Sequence, residues 1–375
     1  MTDTDLAGLT RLVLWASFVL ALLFGAIAQH TRFCTMGAIA DVVSMGDWTR
    51  LRMWMLAMGT AILGFNALVF FGMVQASNSI YAGTRVGWLS AIVGGTMFGA
   101  GMVLASGCAS KNLVRVGTGN LKAVVVLLVV AFAGFATLKG VGAVARVFTV
   151  DAVHFDLATG QDLPSLLGHY SGMKASMLAG ILGLCAGGAL AAFALASREA
   201  RSREVLLGGL GIGALVVAAW WVSGVLGFVP EHPQTLEAVF IATNSRRMES
   251  MSFVSAVAYA SDYLLFFSDI SKVATIGIVS ALGLACGSAA YALATRTFRW
   301  EGFRTVDDLR NHLVGGVLMG VGGVTALGCT IGQGLSGLST LSLTSLLALA
   351  SILAGAVGTL KYQALQLEKA TASPT

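Results

Sequence analysis

Three cysteines of this 375-residue chain stand where its apolar runs break off: Cys34 in HTRFCTMG, Cys108 in ASGCASKN and Cys329 in ALGCTIGQGLSG. Gly107 and Gly328 directly precede the last two. Glycine weakens a helix by about 0.8–1 kcal/mol relative to alanine, so such clusters predict breaks with a thiol at each. A thiol there can be a nucleophile, a soft-metal ligand or a weak S–H donor. A nucleophile wants a nearby base or a lowered pKa, and only Cys34 has a histidine, His30, close in sequence. A soft metal favours several sulfurs in one shell, and the cysteines occur singly without CxxC spacing. No metal site or cofactor is therefore expected. In apolar surroundings a thiol stays neutral; it then donates weakly, whereas a thiolate would repel an anion. Cys185 and Cys286 lie inside continuous apolar runs and read as small hydrophobes.

The neighbours of the breaks favour an anionic passenger. Lys111 and Arg115 follow Cys108, and Thr330, Gln333 and Ser336 follow Cys329 as uncharged donors. Lys111 and Arg115 read equally well as anion ligands or as cations snorkelling to an interface. A helix restarting at a break presents free N–H groups and a positive dipole end. Asp41 and Asp262 are the acidic residues inside apolar segments, read as helix caps ahead of proton carriers.

Composition says what must hold these residues. Hydrophobic residues make up 56% of the chain and charged residues 11%, with mean hydropathy +0.82; soluble domains carry about 25% charged residues. The chain reads as an all-α polytopic membrane protein forming one transport domain over residues 1–375. Nine spans follow from apolar runs near the roughly 20 residues a bilayer needs: about 12–29, 50–74, 88–106, 121–140, 174–196, 205–227, 271–295, 312–330 and 342–362. The shorter segments 33–45 and 251–267 read as re-entrant or broken helices. The acidic opening MTDTDLAGLT lacks a basic n-region, so the first run is read as a retained span. The net charge of +5 is scattered over short links rather than gathered for nucleic acid. With the N-terminus outside and the C-terminus in the cytoplasm, cytoplasmic stretches hold about 15 of the 23 basic residues. Arg198 in SREARSRE and the run RTFRWEGFR contribute to that bias.

The chain also repeats itself. Gly94 to Cys108 (GGTMFGAGMVLASGC) aligns with Gly315 to Cys329 (GGVLMGVGGVTALGC) without a gap, and 8 of 15 positions are identical. Phe33 to Asp41 is echoed by Phe253 to Asp262, with Val254 opposite Cys34. An odd number of spans separates equivalent elements, which predicts two inverted repeats, about 12–140 and 205–362, joined by the span 174–196. Inverted repeats whose broken helices meet near the midplane mark transporters.

The stretches RFCTMGAIAD (Arg32 to Asp41), SGCASKNLVRVGTGNLKA (Ser106 to Ala123) and GCTIGQGLSGLSTL (Gly328 to Leu341) resemble the YeeE/YedE family of sulfur transporters. The resemblance runs from about residue 12 to 362. It implies an hourglass-shaped protein of the bacterial inner membrane that takes up thiosulfate or a related sulfur anion. It also implies a central path lined by Cys34, Cys108 and Cys329, whose S–H groups bond the substrate sulfur without covalent chemistry, so no enzyme is expected. A small TusA-like sulfur carrier on the cytoplasmic side is the implied partner, and some relatives handle selenium compounds. A membrane thiol oxidoreductase or sulfurtransferase forming a persulfide is the alternative. Lys111 departs from the pattern, since relatives more often carry glycine there.

Overall fold

The structure is a computed structural model that describes residues 3–197, 201–231, 233 and 236–372. Arg198 and the first two residues of the opening segment lie outside the described residues. About 72% of the chain is helical. Helices α1 (Asp3–His30), α2 (Thr35–Met45) and α3 (Thr49–Phe70) come first. After a link holding strand β1 (Arg85–Val86) come α4 (Trp88–Leu104), α5 (Ala109–Gly117) and α6 (Leu121–Lys139). The short helix α7 (Val141–Phe148) and strand β2 (Phe155–Asp156) lead to α8 (Leu163–Ser171) and α9 (Ala175–Leu195). The next span, Arg203–Leu226, is built from α10 (Arg203–Leu206) and α11 (Ile212–Trp221) with π-helical turns after each. A hairpin of β3 (Phe228–Val229) and β4 (Val239–Phe240) precedes α12 (Val254–Leu265), α13 (Ile276–Ala294) and α14 (Val306–Thr325). A short helix, 330–339, and α15 (Leu343–Ala372) finish the chain.

Among the described residues, eight helical segments are long and apolar enough to cross a membrane, and the chain is a multi-pass membrane protein. α14, which holds most of the run 312–330, is not one of the eight. Asp307, Asp308 and Arg310 dilute its first turns, and it stops at Thr325, short of the predicted end. Large apolar side chains such as Trp15, Phe132 and Leu184 point away from the bundle, as lipid contact requires.

The packing is reciprocal. α1 lies on α13 while α11 lies on α3; α4 lies on α15 while α6 lies on α14; and α4 crosses α14. At that crossing a Cβ on Gly94 would stand 2.7 Å from the Gly322 carbonyl oxygen, and one on Gly101 2.7 Å from that of Gly315. Glycines let these backbones touch, as small residues do between helices in lipid.

The two aspartates are not caps. Asp41 lies within α2 and Asp262 within α12, whose N-cap positions belong to Cys34 and Phe253. Asp41 Oδ2 instead pairs with Arg50 Nε at 3.2 Å, and Asp262 Oδ2 with Lys272 Nζ at 2.6 Å. Each ion pair ties a short helix to the segment that follows it, and a charge in apolar surroundings persists when so matched.

Candidate functional site

The three thiols share one backbone device. Arg32, Ser106 and Leu327 take left-handed φ values of 54°, 54° and 57°. The amide after each bonds five residues back: Phe33 to Ala28 at 3.0 Å, Gly107 to Met102 at 2.8 Å and Gly328 to Gly323 at 2.8 Å. These are Schellman endings. The next residue is in each case the cysteine, whose carbonyl accepts the first bond of a new helix from Ala38, Asn112 or Gln333. Every break therefore ends one helix and starts another within four residues, with the thiol at the new N-cap. Glycine at 107 and 328 suits this crowding: a Cβ on Gly107 would lie 3.1 Å from Lys111 Cγ, and one on Gly328 3.2 Å from Gln333 Cγ.

An N-cap thiol is oriented by its helix. The Gly37 amide donates to Cys34 Sγ at 3.3 Å, and the Gly332 amide to Cys329 Sγ at 3.4 Å. Each sulfur accepts from backbone and keeps its S–H free to donate. Cys108 Sγ instead meets Ser110 Oγ at 3.2 Å. Cys108 and Cys329 are buried and Cys34 is partly open. Cys34 lies within electrostatic range of Cys108, Lys111 and Arg115, and Cys108 within range of Cys329. Cys108 thus neighbours both other cysteines, and Lys111 and Arg115 lie close to Cys34.

The polar residues after the breaks divide by what they already hold. Gln333 Nε2 donates to the Ala326 carbonyl, bridging the second break, while its Oε1 has no partner. Asn112 Nδ2 bridges the first, donating to the carbonyls of Gly107 at 3.0 Å and Cys108 at 3.1 Å. Thr330 is fully buried with an unpartnered hydroxyl. Ser336 is spent on the Met251 carbonyl at 2.8 Å, which removes it as a free donor. Cys185 and Cys286 are exposed on the surfaces of α9 and α13, inside continuous helices. Among the described residues no group of His, Cys, Asp and Glu could hold a metal ion.

The polar groups around Cys329 come from segments remote from it in the chain. A cavity of about 200 Å³ reaches Gly328 and is lined by Tyr81, Arg146, Glu249, Ser252 and Tyr259. A second, of about 320 Å³, shares Arg146 and Leu327 with it and adds Arg85, Arg247 and Asp151. Tyr81, Arg85, Asp151, Arg247, Glu249 and Ser252 come from the links 71–87, 149–162 and 241–253, while Arg146 sits on α7 and Tyr259 on α12. Asn112 was legible, since it stands 221 positions before Gln333, the spacing of the repeated segments.

A family described as "Sulphur transport" matches residues 30–358. The chain is 25% identical over 361 residues to the thiosulfate transporter TsuA of Spirochaeta thermophila, covering 90% of this chain and 94% of that protein. It is 26% identical over 322 residues to the thiosulfate transporter TsuA of Escherichia coli K12, covering 84% of each.

Proposed function

The chain belongs to the sulphur transport family, and from that premise we propose that it carries thiosulfate, or a closely related sulfur anion, across the bacterial inner membrane. The observation that bears most of this reading is the group of three thiols at the starts of short helices, two of which, Cys34 and Cys329, accept from their own helix and leave the S–H uncommitted. Such a group suits an anion with a polarisable sulfur. Helix N-termini hold its charge, and weak S–H bonds let it leave each site for the next. No thiolate or persulfide is needed, so passage leaves the cysteines chemically unchanged.

The proposal includes two inverted halves, about 12–140 and 205–362, joined through α9. The reciprocal contacts α1–α13 with α11–α3, and α4–α15 with α6–α14, support it. On this reading the N-terminus is periplasmic and the C-terminus cytoplasmic. Cavities lined by Arg85, Arg146 and Arg247 then face the periplasm. Arg50, Lys111 and Arg115 receive the anion at the cytoplasmic end, where a small TusA-like carrier would take it up.

Radiolabelled thiosulfate uptake into proteoliposomes tests the reading. Wild type should accumulate label, and Cys108→Ala and Cys329→Ala should each cut the rate at least about tenfold, the loss of one directional bond of about 1.4 kcal/mol. Variants that transport like wild type would sink the relay, and a persulfide found on turnover by intact mass spectrometry would replace it with covalent transfer.

A further inference from the structure

Glu249 is an unmatched carboxylate beside the last break. It lines the cavity of about 200 Å³ that reaches Gly328, the residue before Cys329, and it is the only carboxylate among the described residues of that wall. The Ser245 amide donates to its Oε1 at 3.0 Å, and the Ser245 hydroxyl donates to the same oxygen. Its backbone carbonyl accepts from Ser223, which fixes the residue against the span Arg203–Leu226. These bonds hold the carboxyl without neutralising it, and Glu249 makes no ion pair among the described residues. Arg146, the one cation on the described wall, is paired with Asp151 at 2.9 Å. Tyr81 of the link 71–87 and Tyr259 of α12 each lie within electrostatic range of Glu249. Tyr81 also lies within range of Cys329, and Lys139 of α6 sits over the Tyr259 ring at 5.7 Å.

We propose that thiosulfate is captured together with a proton on Glu249: the dianion enters this cavity when the carboxyl is protonated, and each occupant brings one proton with it. This rests on the transport reading and adds to it a coupling ion. Two negative groups sharing a small space of low dielectric repel strongly, so an ionised Glu249 opposes the anion and a protonated one does not. Linkage is reciprocal, so the anion favours the proton as much as the proton favours the anion. Burial already holds this carboxyl above the usual carboxylate range, which suits it to the exchange. Tyr81 and Tyr259 stay neutral there, with ordinary values of about 10, and thiosulfate itself is fully ionised. Once protonated, the carboxyl also offers an O–H that can donate to the anion. With the cavity on the periplasmic side, an acidic exterior loads the site.

The test uses the full-length protein in detergent and in proteoliposomes. Isothermal titration of wild type with thiosulfate, in buffers of different ionisation heat, counts the protons taken up on binding. Up to one proton per anion is expected, with affinity falling by up to about tenfold per pH unit as Glu249 ionises. Glu249→Gln keeps an acceptor for Ser245 but carries no charge. It should bind thiosulfate without proton uptake and with an affinity that does not change with pH. In proteoliposomes of fixed internal pH, lowering the external pH should raise wild-type uptake and leave Glu249→Gln uptake unchanged. Binding to wild type without proton uptake, or with the same proton uptake in Glu249→Gln, overturns the coupling and leaves the transport reading in place. Proton-linked binding that Glu249→Gln abolishes, without accumulation in vesicles, keeps the coupling and sinks the transport reading. Neither binding nor accumulation by wild type sinks both.

Discussion

Asn112 and Gln333 do the same work at opposite breaks. Each side-chain amide donates back to carbonyls of its own break, Asn112 to Gly107 and Cys108 and Gln333 to Ala326, and each leaves its amide oxygen unpartnered and buried. They lie 221 positions apart, as do the left-handed residues Ser106 and Leu327 and the thiols Cys108 and Cys329. The break is thus a unit: a left-handed turn, a thiol, and an amide four residues on that staples the turn to the new helix.

Removing a staple should cost stability, because buried carbonyls lose their donor. Asn112→Ala and Gln333→Ala are each expected to destabilise by about 1–3 kcal/mol. Thermal unfolding in detergent measures this, and unchanged Tm values in both would contradict the staple.

Cys329→Ser separates capping from thiol chemistry. Serine is a strong N-cap, so the Gly332 amide keeps an acceptor and Tm should hold or rise. Thiosulfate uptake should still fall about tenfold, since a hydroxyl lacks the soft S–H contact proposed here. Equal loss of Tm and uptake would reduce the thiol to a structural part.

Glu249 gives a pH dependence. It lies in the link before α12, where the Ser245 amide donates to its Oε1 at 3.0 Å. Burial pushes its carboxyl above the usual range, and the bonds from Ser245 only partly oppose this. With the folded-state value raised, its contribution to stability is complete below the unfolded value of about 4.3. That contribution is lost as pH rises through the raised folded value. Glu249→Gln should therefore gain on wild type in Tm as pH rises from about 4 toward neutrality. A constant Tm difference across that range would count against the assignment.

The α1–α13 contact should tolerate no added volume. A Cβ on Gly287 would overlap the Leu22 carbonyl oxygen, and one on Gly25 that of Leu284. Backbone cannot swing aside as a side chain can, so Gly287→Val should destabilise by at least about 1–3 kcal/mol. Yield and Tm in detergent read it out, with Gly8→Ala, which meets nothing within 4 Å, as the tolerant control.

Much of the fold and of the candidate site is legible in the sequence. Apolar runs fixed the helices because a bilayer forces the backbone to bond within its own segment. Glycines beside Cys108 and Cys329 announced the breaks, and the matched spacing linked them. What failed was the reading of single polar residues. Asp41 and Asp262 turned out to be ion-pair members because their cations, Arg50 and Lys272, follow nine and ten residues later at positions no periodicity marks. Ser336 turned out to be spent on the Met251 carbonyl, 85 residues away.

The sequence alone determined a multi-pass helical chain, its interruptions and the thiols standing at them, because these depend on local hydrophobicity and on glycine's cost within a helix. Only the tertiary structure decided that three breaks distant in sequence come together, and that Arg85, Arg146 and Arg247 line one cavity beside the last of them. Contacts between remote segments depend on how helices cross, and that is set by packing across the whole bundle rather than by any one stretch of residues.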